Sequence, residues 1–301
     1  MFIEPVIKWS GSKRVVAPRL KELLPDGKRY YEPFVGGGAM LPFRKIHAAA
    51  ASDVIAELIC LWELIRDMPE SVASEYEKRW SKLQSDGYGV YYEIRKSFNK
   101  TRNPHDLLFL TRTCVNGLIR FNNSGDFNNS LHHTRPGIAP ARLRQIILEW
   151  SVAIRDVKFM TCDYRQTLSA VKTGDVVFLD PPYAGTKGRY MPSKFNLTEF
   201  YDELERLNSI GAKWVLTFDG KAGERSYLES LDKSLYKVKL ALPTGNSPFT
   251  KLMKTSLDRV MESVYLNFEP SPKALRQFAN RRFKPSDVAT SFDVQQGRLF
   301  G

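Results

Sequence analysis

The chain has 301 residues, 43% of them hydrophobic, which is enough to bury one large core or two smaller ones. No apolar run of about 18 residues occurs, which argues against a membrane span. The first five residues lack the charged and apolar regions of a secretion signal, so we expect a cytoplasmic protein. A net charge of +12 indicates a surface that attracts polyanions.

The first third of the sequence predicts an α/β arrangement. A short helix is expected over 13–24 and a strand over 30–33. The glycines at 36–38 then turn the chain into a helix predicted from about Ala39. A strand of small residues over 48–53 ends in an acid.

Helical periodicity dominates the next hundred residues. Helices are predicted near 54–67, 70–84, 90–99, 105–114 and 140–149. The interruption at 120–129, rich in Asn, Ser and Gly between aromatics, predicts a hairpin or compact loop. Residues 95–144 contain nine lysines and arginines against two acids, which favours a nucleic-acid partner.

Strand patterns return after residue 156, at 157–162, 176–179, 214–218, 235–240 and 260–268, with a helix at 197–207. We therefore predict a catalytic α/β domain in two parts, 1–54 and 156–270. A mainly helical domain at 55–155 is inserted between them. Residues 271–301 form a basic, loosely attached tail in this prediction.

The tetrapeptide Asp180-Pro181-Pro182-Tyr183 directly follows the apolar strand at 176–179. Two prolines cannot continue a sheet ladder, so the chain must leave the strand there. A carboxylate and an aromatic ring at a strand end can bind a planar ring that carries an amine, because the carboxylate accepts hydrogen bonds from the amine and the aromatic ring stacks. The alternative is a purely structural role, in which an acidic residue ends the strand and two prolines stop it.

Two further polar segments accompany this motif. Residues 32–38, Glu-Pro-Phe-Val-Gly-Gly-Gly, let a ligand approach the backbone, and Asp53 at the next strand end can accept from ribose hydroxyls. The segment Lys8-Trp9-Ser10-Gly11-Ser12-Lys13 is flexible and positive, yet it is not a P-loop.

Taken in order, these segments and Asp163-Tyr164 resemble the Dam-type (D12 class) DNA adenine-N6 methyltransferases over about residues 5–270. The resemblance implies an α/β fold, a mixed twisted sheet with helices on both faces (a Rossmann-like methyltransferase) and an inserted DNA-recognition domain. It also implies S-adenosyl-L-methionine as methyl donor, double-stranded DNA as partner, base flipping, N6-methyladenine as product, and a bacterial nucleoid or phage-encoded setting, with restriction-modification as one context.

The resemblance also implies roles for single residues. Cofactor-binding residues are expected to be Trp9, Lys13, Phe34, Gly36, Gly38, Asp53, Asp163 and Asp180. Asp180, Pro181, Pro182 and Tyr183 are expected to meet the target adenine, with Phe195 on its other face.

The insertion resembles the family's target-recognition hairpin, so DNA contacts are expected from Lys8, Arg120, Phe121, Asn122, Asn123 and Arg135. The hairpin continues Asn129-Ser130-Leu131-His132-His133 where the Dam pattern has Pro-Phe-Gly. This departure bears on recognition of GATC more than on catalysis.

The sequence also allows other functions. The alternatives are a DNA-binding protein of the same fold without catalysis, and a cytosine-N4 or RNA adenine methylase. A nicotinamide oxidoreductase lacks its G-x-G-x-x-G fingerprint here. Neither a metal nor a membrane is expected. The terminal residues Gln296, Leu299 and Phe300 are similar to peptides that bind sliding clamps, although such a short match arises easily by chance.

Overall fold

The computed structural model describes residues 3–9, 11–117, 119–122, 124–134, 137–182, 195–222, 225–226, 231–246 and 259–280. Its centre is an eight-stranded sheet with the order β3-β2-β1-β4-β5-β8-β7, and β6 pairs with β5. Strands β1 to β5 pair in parallel, whereas β6, β7 and β8 run antiparallel to their neighbours. The strands are β1 (Tyr30–Glu32), β2 (Ala49–Asp53), β3 (Val157–Thr161), β4 (Val176–Leu179), β5 (Lys213–Ala222), β6 (Arg225–Ser226), β7 (Val238–Asn246) and β8 (Arg259–Leu266).

Helices cover both faces of the sheet, and consecutive residues of the central strands point to opposite faces. Val176 and Phe178 of β4 belong to one hydrophobic cluster, and Val177 and Leu179 belong to the other. This confirms the predicted fold class, a mixed sheet between helices. The helices are α1 (Ala17–Leu20), α2 (Ala56–Asp67), α3 (Pro69–Asp86), α4 (Gly89–Thr101), α5 (Pro104–Thr113), α6 (Pro140–Ala153), α7 (Tyr164–Ser169), α8 (Leu197–Ser209) and α9 (Pro272–Asn280).

The helices between β2 and β3 share the larger hydrophobic cluster with the sheet. Trp62 of α2 stacks on Phe159 of β3, with ring centroids 6.0 Å apart, and lies 4.9 Å from the ring of Trp150 in α6. Helix α2 therefore packs directly on the sheet. A recognition domain that spans 55–155 stays a prediction.

Two local predictions were wrong. The helix expected from about Ala39 is a single 3₁₀ turn, Leu41–Phe43, after which Arg44 is extended. The tail is not loose at its start, because α9 docks on α1. The Arg19 guanidinium lies 4.6 Å from the ring centroid of Phe278, and Arg19 Nε donates to the Phe278 carbonyl at 3.0 Å. Gln296, Leu299 and Phe300 lie outside the described residues.

Within the described ranges, no helix combines the length and the apolar character needed to cross a bilayer.

Candidate active site

The acidic residues of the predicted site meet at the carboxyl edge of the parallel strands. Asp53 ends β2, Asp163 follows β3, and Asp180 follows β4. Strand β1 lies between β2 and β4, so the chain order reverses there. Ligands of open α/β sheets bind in the crevice outside such a reversal.

Asp180 lies in a network of charged and polar groups. The hydroxyl of Thr217, on the neighbouring strand β5, donates to Asp180 Oδ1 at 2.8 Å. The Lys13 ammonium is 2.9 Å from the same oxygen, and Glu262 Oε1 of β8 lies 3.5 Å from Lys13 Nζ. Lys13 is almost wholly buried, so this charge is held at the site and not in solvent. Pro181 is buried and Pro182 is exposed, while Tyr183 lies outside the described residues.

Glu32, at the end of β1, is a buried carboxyl beside this network. Burial raises its pKa to about 8, and the charge of Asp180 acts in the same direction. The Tyr30 hydroxyl donates to Glu32 Oε2 at 2.9 Å and opposes the rise. Near pH 7 the Glu32 carboxyl is therefore mostly protonated.

The glycine turn after β1 is held from two sides. Gly36 and Gly38 have φ values of +43° and +64°, which side chains rarely adopt. A Cβ on Gly36 would lie 2.9 Å from the Trp9 ring, so Trp9 packs directly on the turn. On the other side, Trp62 Nε1 donates to the Gly36 carbonyl at 3.0 Å.

Asp53 fixes the same turn. Its carboxylate accepts from the backbone N–H groups of Gly36, at 3.1 Å, and Ile55, at 3.2 Å. Burial raises the pKa of Asp53 to about 6, although these hydrogen bonds favour the charged form. An ionised carboxylate has about four acceptor positions, so the two backbone bonds leave acceptor capacity for hydroxyl groups.

Aromatic rings line the next part of the edge. Phe34 stacks on Tyr164 at 5.2 Å, and Phe195 lies 6.1 Å from Phe34 and 5.7 Å from Tyr164. The structure thus places Phe195 with Phe34. Whether it also faces a target base stays a prediction.

Asp163 is the N-cap residue of α7, and its side chain accepts a hydrogen bond from the backbone N–H of Arg165. Partial burial acts to raise the pKa of Asp163, but the hydrogen bonds and charge of Arg165 outweigh it and lower the pKa.

The predicted hairpin is present as two antiparallel bridges, Phe121 with Phe127 and Cys114 with Leu131. Asn122 closes its turn, because its Oδ1 accepts from the N–H groups of Ser124 and Asp126 at 2.9 and 2.8 Å. That side-chain oxygen is therefore engaged within the hairpin.

Helix α4 and its C-cap residue Arg102 hold the hairpin through side chains about one turn apart. Asn99 donates to the Phe127 carbonyl at 3.1 Å and accepts from the Phe127 N–H at 2.8 Å. Arg95 donates to Asn129 O at 3.0 Å, and Arg102 donates to Gly125 O at 2.7 Å. The base of the hairpin also meets the N-terminal segment, since a Cβ on Gly117 would lie 2.9 Å from Lys8 Cβ.

Several cations of the basic segment 95–144 have partners within the protein. Five of its nine cations make hydrogen bonds or ion pairs with other residues of the protein, although Arg142 and Arg144 do so at the surface: Arg95, Arg102, Arg112, Arg142 and Arg144. Lys96, Lys100 and Arg120 are exposed. The predicted DNA contacts Asn123 and Arg135 lie outside the described residues.

Across the described residues, His, Cys, Asp and Glu form no group of three or more that has a metal-binding arrangement.

A family model described as the D12 class N6 adenine-specific DNA methyltransferase matches residues 9–237. The chain belongs to this family. It is 29% identical over 232 residues to the DNA N-6-adenine-methyltransferase of Escherichia phage P1, a match that covers 73% of this chain and only 30% of the phage protein. It is also 29% identical over 278 residues to the Retron Ec67 DNA adenine methylase of Escherichia coli, covering 88% of this chain and 94% of that protein. The Type II methyltransferase M.MjaIII of Methanocaldococcus jannaschii is 29% identical over 253 residues, a match that covers 72% of this chain and 84% of that protein.

In this D12-class chain, sequence patterns did not reveal two residues of the Asp180 network, Thr217 and Glu262. Thr217 and Glu262 lie in the predicted strands 214–218 and 260–268, with no motif around either of them. Only the pairing of β5 with β4 and β8 brings these residues to the site. Trp62 was likewise a helix residue without a predicted role.

Proposed function

We propose that this protein transfers a methyl group from S-adenosyl-L-methionine to N6 of an adenine that is flipped out of duplex DNA. The observation that carries the proposal is the Asp180 carboxylate. It stands at the strand-order reversal, directly before Pro181-Pro182, in a chain of the D12 adenine-specific family.

Asp180 and the Pro181 carbonyl are the proposed acceptors for the two N–H groups of the adenine amine. The lone pair of this amine is delocalised into the ring, which makes it a poor nucleophile. Two accepted hydrogen bonds favour a pyramidal nitrogen whose lone pair forms the new bond to the methyl carbon. The nitrogen then carries a positive charge and loses one of its protons, for which Asp180 is the hydrogen-bonded acceptor. Positioning and electrostatics supply the rate gain.

The residues at the carboxyl edge fit the methyl donor. Asp53 retains acceptor capacity for the ribose hydroxyls, and the aromatic wall of Phe34, Tyr164 and Phe195 offers ring faces for a purine. Asp163 is proposed to lie near the donor's adenine. When bound, this cofactor supplies an electrophilic methyl group on a sulfonium centre, and its carbon–sulfur bond breaks as the carbon–nitrogen bond forms.

The hairpin is the proposed DNA-reading element. Its strands are anchored to α4, so a rigid element carries the exposed Arg120. A two-stranded ribbon fits the major groove. A base inside a duplex cannot reach Asp180 and must be extruded, which costs a few kcal/mol. Stacking on Tyr183 and a wedge such as Phe121 are proposed to offset this cost.

The test is product identification. Incubate the full chain with methyl-labelled cofactor and, in separate reactions, unmethylated duplex DNA or RNA, then digest the nucleic acid to nucleosides and identify the labelled one. N6-methyladenine is expected. Asp180→Ala should lower the rate at least ~100-fold and lower cofactor affinity by a much smaller factor, whereas Asp86→Ala, an exposed control on α3, should not change the rate.

Label in N4-methylcytosine alone, in RNA alone, or in no nucleic acid would overturn the proposal. The first two outcomes correspond to the methylase alternatives, and the third corresponds to a DNA-binding protein without catalysis.

A further inference from the structure

Thr217 and Lys13 contact the same oxygen of Asp180. The Thr217 hydroxyl donates to Oδ1 at 2.8 Å, and the Lys13 ammonium lies 2.9 Å from it. Among the described residues, the hydrogen bond and the ion pair given for Asp180 both go to Oδ1. The carboxylate is thus held by one oxygen, and the second oxygen is the one left to accept from a substrate amine.

An irregularity in the sheet brings Glu262 to this network. Phe218 of β5 pairs with Ser263 of β8, but the next pair joins Gly220 to Glu262, so Asp219 is an extra residue in β5. A bulge of this kind redirects the neighbouring side chains. Glu262 Oε1 lies 3.5 Å from Lys13 Nζ, with only 15% of the Glu262 side chain exposed.

Charge decides what Glu262 contributes. Asp180, Glu262 and Lys13 together carry one net negative charge when all three are ionised. Glu32 adds little charge near pH 7, because burial raises its pKa to about 8. The amine nitrogen becomes positive as the methyl group is transferred. Fixed negative charge in a partly buried site stabilises that developing cation.

We propose that Thr217 and Glu262 are positioning residues for methyl transfer. Thr217 orients Asp180 so that Oδ2 meets the amine, and Glu262 holds Lys13 while keeping the site negative. This inference rests on the proposed function of Asp180.

Thr217 is tested by the single-turnover rate of methylation of unmethylated plasmid DNA. Thr217→Val removes the hydroxyl at constant shape, and we expect the rate constant to fall about 10- to 100-fold. Affinity for cofactor and DNA should stay within a few-fold. Thr217→Ser restores the donor and should recover most of the rate. Thr111→Val is the control, since Thr111 is also fully buried and its hydroxyl donates to the Leu108 carbonyl at 3.0 Å.

Glu262 is tested by Glu262→Gln, which keeps the shape and removes the charge. We expect the single-turnover rate to fall about 10-fold with unchanged affinity for cofactor and an unchanged urea midpoint. Glu205→Gln, an exposed substitution on α8, is the control and should match the wild type.

The outcomes separate this inference from the proposed function. A wild-type protein that forms no N6-methyladenine refutes the function. An active wild type with unchanged rates in both Thr217→Val and Glu262→Gln refutes only the positioning roles. Equal losses in Thr217→Val and Thr217→Ser would also refute the role of Thr217, because the hydroxyl would then not be the group that matters.

Discussion

The buried Glu32 carboxyl gives the protein a stability that depends on pH. Its pKa is raised to about 8, chiefly by burial, from an ordinary value of 4.5. A carboxyl whose pKa is higher in the folded chain binds its proton more tightly when folded. Stability from this group is therefore greatest below pH 4.5 and is lost as the pH rises towards 8. The prediction is that Glu32→Gln removes this loss.

The size of the effect follows from the two pKa values. Each unit of difference corresponds to about 1.4 kcal/mol, so the full cost above pH 8 is on the order of 5 kcal/mol. Between pH 5 and pH 8 the cost grows by about 3 to 4 kcal/mol. Glutamine carries no titrating proton and keeps an oxygen that can accept from the Tyr30 hydroxyl.

The assay is urea unfolding at several pH values between 5 and 8, followed by tryptophan fluorescence. The free energy of unfolding of Glu32→Gln relative to wild type should rise by about 3 to 4 kcal/mol from pH 5 to pH 8. Glu205→Gln, an exposed control, should give a constant difference. If the difference between Glu32→Gln and wild type is also constant with pH, Glu32 does not titrate in this range and the reasoning is wrong.

Three other predictions concern the hairpin and the tail. Asn99→Ala removes two hydrogen bonds to the Phe127 backbone and should destabilise the hairpin by about 1 to 3 kcal/mol, measured as faster amide exchange at Phe127; unchanged exchange would contradict this. Arg120→Ala should lower the slope of log affinity for DNA against log salt by about 1, whereas Arg155→Ala, an exposed control in the turn at the amino end of β3, should not; a slope for Arg120→Ala equal to that of the wild type would place DNA contact elsewhere. Phe278→Ala should lower the free energy of unfolding by about 3 kcal/mol through loss of the packing of α9; an unchanged urea midpoint would show that α9 contributes no stability.

Much of the fold was predictable from short-range patterns. The strand Val176–Leu179 is an unbroken apolar run stopped by two prolines, and its predicted bounds agree with the structure. Helix α8 begins directly after Asn196, whose side chain accepts from the N–H groups of Thr198 and Glu199. Such elements are specified by residues that lie within a few positions of each other in the sequence.

The predictions failed where distant residues decide the conformation. After the glycine turn, Arg44 Nη1 donates to the Leu41 and Ala153 carbonyls, both at 2.7 Å, and the chain stays extended instead of continuing as a helix. Helix α9 is fixed by Arg19, about 260 residues earlier in the chain. The groups of the Asp180 network, Lys13, Thr217 and Glu262, come from three separate segments for the same reason. A sequence pattern predicts Asp180, but sheet pairing alone brings Thr217 to its carboxylate and Glu262 to the neighbouring Lys13.

Some cations of the basic segment 95–144 hold the hairpin in shape as well as carrying charge. The number of cations in 95–144 predicted a nucleic-acid surface. In the structure, however, Arg95 and Arg102 each donate a hydrogen bond to a backbone carbonyl of the hairpin. Their positive charge still lies beside the hairpin, but the two guanidinium groups are held in place by these hydrogen bonds. The proposed DNA contact therefore depends on the anchored hairpin and on its exposed Arg120 more than on the number of basic residues. A substitution at Arg95 should accordingly disturb the shape of the hairpin as well as its charge, and the salt slope alone would understate its effect.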